Sequence, residues 1–177
     1  MLLFFGLWIG LTQLLRRLSL REDAQGGLTH FEKSEFWSKV LIFVLAITFS
    51  LASFDMIMSL DPHWYSTIFS LKNFVMAFYH GAAVITLIVI LLYERGFFPA
   101  LNQSHLLDFS RYIFMLSIVW GYLFFAQFML IWYGNIPEET AYFAVRWNDP
   151  VFKVLFFANI TLNWFIPFVL MMARRAN

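Results

Sequence analysis

Val40-Leu-Ile-Phe-Val-Leu-Ala-Ile-Thr-Phe-Ser-Leu-Ala-Ser-Phe-Asp-Met-Ile-Met-Ser-Leu60 is a stretch suited to lipid apart from one residue, Asp55. A run of about 20 apolar residues crosses a hydrocarbon core of about 30 Å as a helix. A carboxylate within such a core costs roughly 3 kcal/mol or more unless protein or water solvates it. This stretch therefore sets both the fold class and the first candidate functional residue.

Comparable runs recur at Leu2–Leu18, Phe74–Tyr93, Tyr112–Trp132 and Phe152–Ala173, and the run with Asp55 extends over Lys39–Leu60. Only 13% of the residues are charged, against about a quarter in soluble domains, so a soluble fold is excluded. The mean hydropathy of +0.71 points the same way. The runs are continuous, unlike the alternating pattern of barrel strands. The expected fold is all-α: a polytopic integral membrane protein with five transmembrane helices, a four-helix bundle plus one flanking helix. Residues 1–18 form the first span, 19–38 a mixed-charge cytoplasmic linker loosened by Gly26-Gly27, and 39–177 the four-helix transmembrane bundle.

Basic residues orient the chain. With the Gln13–Ser38 connection inside, Arg16, Arg17, Arg21, Lys33, Lys39, Arg95, Arg111, Arg174 and Arg175 are cytoplasmic, and only Lys72, Arg146 and Lys153 fall outside. That bias puts Met1 outside and Asn177 in the cytoplasm. A helix opening at Met1, without a basic flank or a cleavage site, reads as the C-terminal part of a longer protein or as a subunit abutting others.

The chemistry is bounded by what the chain lacks. Without cysteine it holds no thiolate-bound iron–sulfur cluster and no covalently attached haem, and only His80 of four histidines lies within a span. No phosphate-binding glycine loop is present, and a net charge of +1 offers no nucleic-acid surface. No cofactor is expected in this chain, so any electron carrier belongs to a partner.

At 1.5 Å per residue, Asp55 lies about 7 Å inside the outer end of its helix and His80 about 10 Å below the same surface. Gln127 and Asn159 come to similar levels, with Asn163 one turn deeper. Thr48, Ala52, Asp55 and Ser59 share a helix face, as do Asn159, Asn163 and Pro167. Pro167 cannot donate to the carbonyl of Asn163, which leaves a free acceptor and a kink there. Ala77-xxx-Gly81 and Ser117-xxx-Gly121 offer small residues for close helix contact. Two readings stand side by side: a hydrated half-channel with Asp55 and His80 as proton sites, or interhelical hydrogen bonding alone. Asp61-Pro-His-Trp-Tyr-Ser-Thr67 is either an interfacial aromatic turn or the mouth of that path, with Asp61 and His63 at its rim. Glu138 and Glu139 stand near the start of a short helix in an outer loop.

Ser53-Phe-Asp-Met-Ile-Met-Ser-Leu-Asp-Pro-His-Trp-Tyr-Ser-Thr-Ile-Phe69 resembles a hallmark segment of the ActF family, membrane components of bacterial alternative complex III. Gln127-Phe-Met-Leu-Ile-Trp-Tyr-Gly-Asn-Ile-Pro-Glu-Glu-Thr140 is similar to that family's second hallmark, and His105-Leu-Leu-Asp108 followed by Arg111-Tyr112 fits its inner loop. The resemblance implies a redox-inactive membrane subunit of a respiratory quinol:cytochrome c oxidoreductase in the bacterial inner membrane. It implies kinship in fold with polysulfide-reductase-type membrane anchors. Its partners would be a quinol-site membrane subunit, an iron–sulfur subunit and c-type cytochrome subunits, with quinol, haem c and iron–sulfur clusters held elsewhere in the complex and lipid around it. The family is proposed to conduct protons. By motif match Asp55, Asp61 and His63 carry that role, while Ser59, His80, Gln127 and Asn159 join the path by depth and helix face. A pure scaffold and a quinol-binding anchor at Asp55 and His80 are the alternatives. Family members are longer, with two bundles. Ser70-Leu-Lys-Asn73 departs from the family's glycine-aromatic continuation and brings Lys72 within reach of Asp61.

Overall fold

The computed structural model describes residues 2–26 and 28–172. Helix accounts for 89% of it and strand for none among the described residues, so the backbone polar groups are satisfied within helices. Four helical stretches are long and apolar enough to cross a membrane: Thr29–Leu60, Thr67–Glu94, Gln103–Gly134 and Pro150–Met172. The fifth expected span, Leu2–Leu18, belongs to a helix that is not among them. Gln13, Arg16 and Arg17 interrupt its apolar run after little more than three turns. Arg174, Arg175 and the end of the last expected span at Ala173 lie outside the described residues.

The chain forms two compact units, residues 1–60 and 61–177. This differs from the expected division at 18 and 38. The supposed linker is mostly helix: α1 (Leu2–Gln25) runs on through the charged segment, and α2 (Leu28–Met56) begins directly after the glycine pair. Gly26, at φ +65°, supplies the left-handed break between them.

In the first unit α1 and α2 pack as a hairpin. Trp8 stacks on Phe49 at 6.0 Å, and its indole Nε1 donates to Thr48 Oγ1 at 2.8 Å. α2 ends at Met56, and Met58–Leu60 forms a single 3-10 turn.

The second unit opens with a turn. Trp64 N donates to Asp61 O at 3.2 Å, with Pro62 at the position where its fixed φ suits a turn. α3 (Thr67–Glu94) then packs on α4 (Gln103–Gly134). α4 starts with a reciprocal cap in which Asn102 Oδ1 accepts from His105 N and Asn102 N donates to His105 Nδ1, both at 3.2 Å. It stops at Asn135, whose φ of 48° is left-handed. α5 (Pro137–Asn148) carries Glu138 and Glu139 in its first turn and Arg146 in its last, as the helix dipole favours. Asp149 caps α6 (Pro150–Ile160) by accepting from Val151 N and Phe152 N at 2.8 and 3.0 Å.

α6 runs through a π-helical turn, Thr161–Phe165, into α7 (Ile166–Met172). The cause is Pro167, which has no N–H for the carbonyl of Asn163. That carbonyl instead accepts from Ser117 Oγ on α4 at 2.8 Å, so the free acceptor anticipated from sequence becomes an interhelical bond. Gly121, one turn on, lets the Trp164 ring close in: a Cβ there would collide with Trp164 Cδ1. Ala77-xxx-Gly81 does not repeat this. Ala77 is exposed, and nothing lies within 4 Å of where a Gly81 Cβ would be.

Candidate functional site: a polar row and a cationic cavity

Most of the anticipated polar residues of the second unit fall into two connected groups. The first centres on Asn163, which is buried on the π-helical turn. Its Nδ2 donates to the backbone carbonyl of Asn159 at 2.9 Å and to Asn159 Oδ1 at 2.6 Å. The backbone carbonyl accepts only, so the orientation of the Asn163 amide is fixed and its Oδ1 points to His80 Nε2 at 2.9 Å. The other ring nitrogen, Nδ1, faces the Met76 carbonyl at 2.9 Å. Both nitrogens of His80 thus meet oxygen acceptors. A neutral imidazole satisfies one of them, and an imidazolium satisfies both.

The second group centres on Lys72, which is only 6% exposed. Its Nζ donates to Gln127 Oε1 at 2.6 Å, and Gln127 Nε2 makes a longer bond to Ser66 Oγ at 3.4 Å. The rings of Phe69, Phe124 and Tyr142 surround the ammonium at 5.2, 5.5 and 5.9 Å. Arg146 lies flat on Tyr142, 3.4 Å from ring centre, and donates to that residue's carbonyl at 2.6 Å. Burial raises the Tyr142 phenol above its usual value, an effect that Arg146 opposes. Lys72, Asn73, Arg146 and Asn159 line one cavity of about 240 Å³, and Asn159 joins it to the row ending at His80.

These contacts correct two expectations. Lys72 is not an exposed partner of Asp61 at a channel mouth but a buried ligand of Gln127. Asp61 and His63 are exposed in their turn, where Asp61 Oδ1 accepts from His63 N at 3.4 Å. Trp64 does not face outward as in an interfacial aromatic turn: it is 5% exposed, stacks on Tyr142 at 4.3 Å and donates from Nε1 to Glu139 O at 3.3 Å. The Trp64 turn and the Gln127–Thr140 segment, far apart in sequence, therefore meet here.

In the first unit, Asp55 is exposed on α2. Its backbone carbonyl accepts from Ser59 Oγ, and Ser59 is exposed as well. The helix-face stripe begins as anticipated, with Thr48 bonded to Trp8 and Ala52 buried, but it opens outward at Asp55 and Ser59. The expectation of an acid enclosed by neighbouring polar faces is not met within this chain.

Lys72 and Arg146 were not candidates on sequence grounds, because single cations at helix ends usually reach solvent. A signal was present nonetheless. Lys72, Met76 and Tyr79 recur at i, i+4 and i+7, the face that packs inward. No metal-holding cluster of His, Asp or Glu occurs among the described residues. No protein-family model and no curated protein matches this chain.

Proposed function

We propose that this chain is a redox-inactive, multi-pass subunit of a quinol:cytochrome c oxidoreductase of the alternative complex III type, seated in the bacterial inner membrane. In this reading it anchors the partner subunits that hold quinol, haem and iron–sulfur clusters, and it supplies a proton-exchange path from the outer side. Leu2–Leu18 is a fifth span, Met1 begins outside and the C-terminus is cytoplasmic. The hallmark segments Ser53–Phe69 and Gln127–Thr140 support the assignment to the complex.

One observation carries the proton path: His80 sits between two acceptors, at one end of a hydrogen-bonded row whose other end, Asn159, lines a polar cavity. His80 is the protonatable station. Asn163 and Asn159 hold it and orient the water that exchanges protons with it, since carboxamides do not themselves carry a proton at neutral pH. Gln127 steadies Lys72 at the cavity wall. Asp61 and His63 of the second unit and, separately, Asp55 and Ser59 of the first are exposed positions at which protons would exchange with neighbouring subunits or water.

The intact complex in proteoliposomes tests this. His80→Gln and Asp55→Asn are expected to leave quinol–cytochrome c turnover in place while lowering the protons moved per electron. An unchanged ratio in both variants reduces the chain to a scaffold, a reading already favoured for the first unit by the exposure of Asp55. Purification of the tagged chain without haem-bearing and iron–sulfur partners overturns the assignment to the complex.

A further inference from the structure

We infer that the Lys72–Arg146 cavity binds the phosphate of an anionic phospholipid, with an acyl chain in the adjoining apolar groove. Lys72 has three N–H donors, and Gln127 takes one of them. Among the described residues the ion pairs are Lys39–Glu35 and Arg111–Asp108, so neither Lys72 nor Arg146 has a carboxylate partner there. A buried ammonium without a counter-charge is costly, and three aromatic rings offset that only in part. Arg146 brings a second cation to the same cavity, and Asn73 and Asn159 add amide donors. No acidic residue among those described lines it. The volume, about 240 Å³, far exceeds the roughly 10–15 Å³ that a single water needs.

A second cavity, about 520 Å³ and almost wholly apolar, shares Trp120, Phe124 and Phe156 with the first. Gly121, Phe128 and Ile160 are among its other walls. A cationic chamber beside an aromatic groove fits an amphiphile with a negative head, and a free anion would use only half of it. Depth agrees. Lys72 is the sixth residue of α3, about 8 Å from the helix start, close to the boundary between headgroups and acyl chains. This inference rests on the two cations and not on proton transfer at His80.

The test uses the full chain in detergent, measured by native mass spectrometry and by thermal unfolding with phosphatidylglycerol, phosphatidylcholine or inorganic phosphate added. The wild type is expected to retain phosphatidylglycerol at least tenfold better than phosphatidylcholine. It should also gain about 5 °C in Tm from the anionic lipid at saturating concentration. Lys72→Met, which replaces the charge by an apolar chain of similar length, should fold and lose both effects, and Lys72→Arg should keep them. Arg146→Gln should weaken retention with the cavity otherwise intact. Equal retention by wild type and Lys72→Met overturns the site. A Tm gain from inorganic phosphate without preference for the anionic lipid overturns the lipid as its occupant.

Discussion

The two compact units treat their polar residues in opposite ways. In the hairpin of the first, the strongest polar feature, Asp55, is exposed, and the buried side is held by Trp8, Thr48 and Ala52. In the second, Lys72, Gln127 and Asn163 are buried among partners, and the ends of their network are marked by an exposed histidine and a cavity. The difference follows from the number of helices. Two helices have one shared face, so a polar residue off that face has nowhere to be enclosed. Three long helices and the short α5 leave an interior in which polar groups from separate elements converge, and there each must be satisfied by another.

Glycine substitutions sharpen this contrast most. Gly121→Ala sets a methyl group against Trp164 and should destabilise the second unit by about 2 kcal/mol or more, seen as a lowered Tm in detergent. Gly81→Ala meets nothing within 4 Å and should be neutral, or stabilising by up to about 1 kcal/mol from helix propensity alone. Equal effects at the two positions would mean that the interior of the second unit is not close-packed at Trp164.

The polar residues themselves come next. Asn163→Leu leaves His80 Nε2 and Asn159 Oδ1 without their Asn163 partner and should cost roughly 1–3 kcal/mol by thermal or chemical unfolding. Asp55→Asn, at an exposed site, should stay within about 0.5 kcal/mol of wild type in the isolated chain. A large loss from the latter would show that the acid is held by contacts that its exposure denies. Within the hairpin, Trp8→Phe removes the bond to Thr48, keeps the stacking on Phe49, and should cost about 1 kcal/mol.

Sequence reading served the two units unequally. The break at Asn163 was legible because proline chemistry is local: Pro167 lacks a donor wherever it stands, so an orphan carbonyl four residues back follows directly. The short helix at Glu138 and the close approach at Gly121 were legible for similar reasons. Lys72 was not. Its burial depends on Phe124 and Gln127 from α4 and Tyr142 from α5, all distant in the chain. Asp55 failed in the other direction, since depth along an apolar run measures what burial would cost and says nothing of which side of the helix has neighbours.

Length and hydropathy of the apolar runs dictate helices able to cross a membrane, because backbone groups in lipid have no other partners, and that conclusion needs no knowledge of packing. Which polar side chains are enclosed, which acceptors surround His80, and that two cations share a cavity without an acid depend on helix rotation and pairing. Those are set by long-range fit between side chains, such as the Trp164 ring against Gly121, and they exist only once the helices have come together.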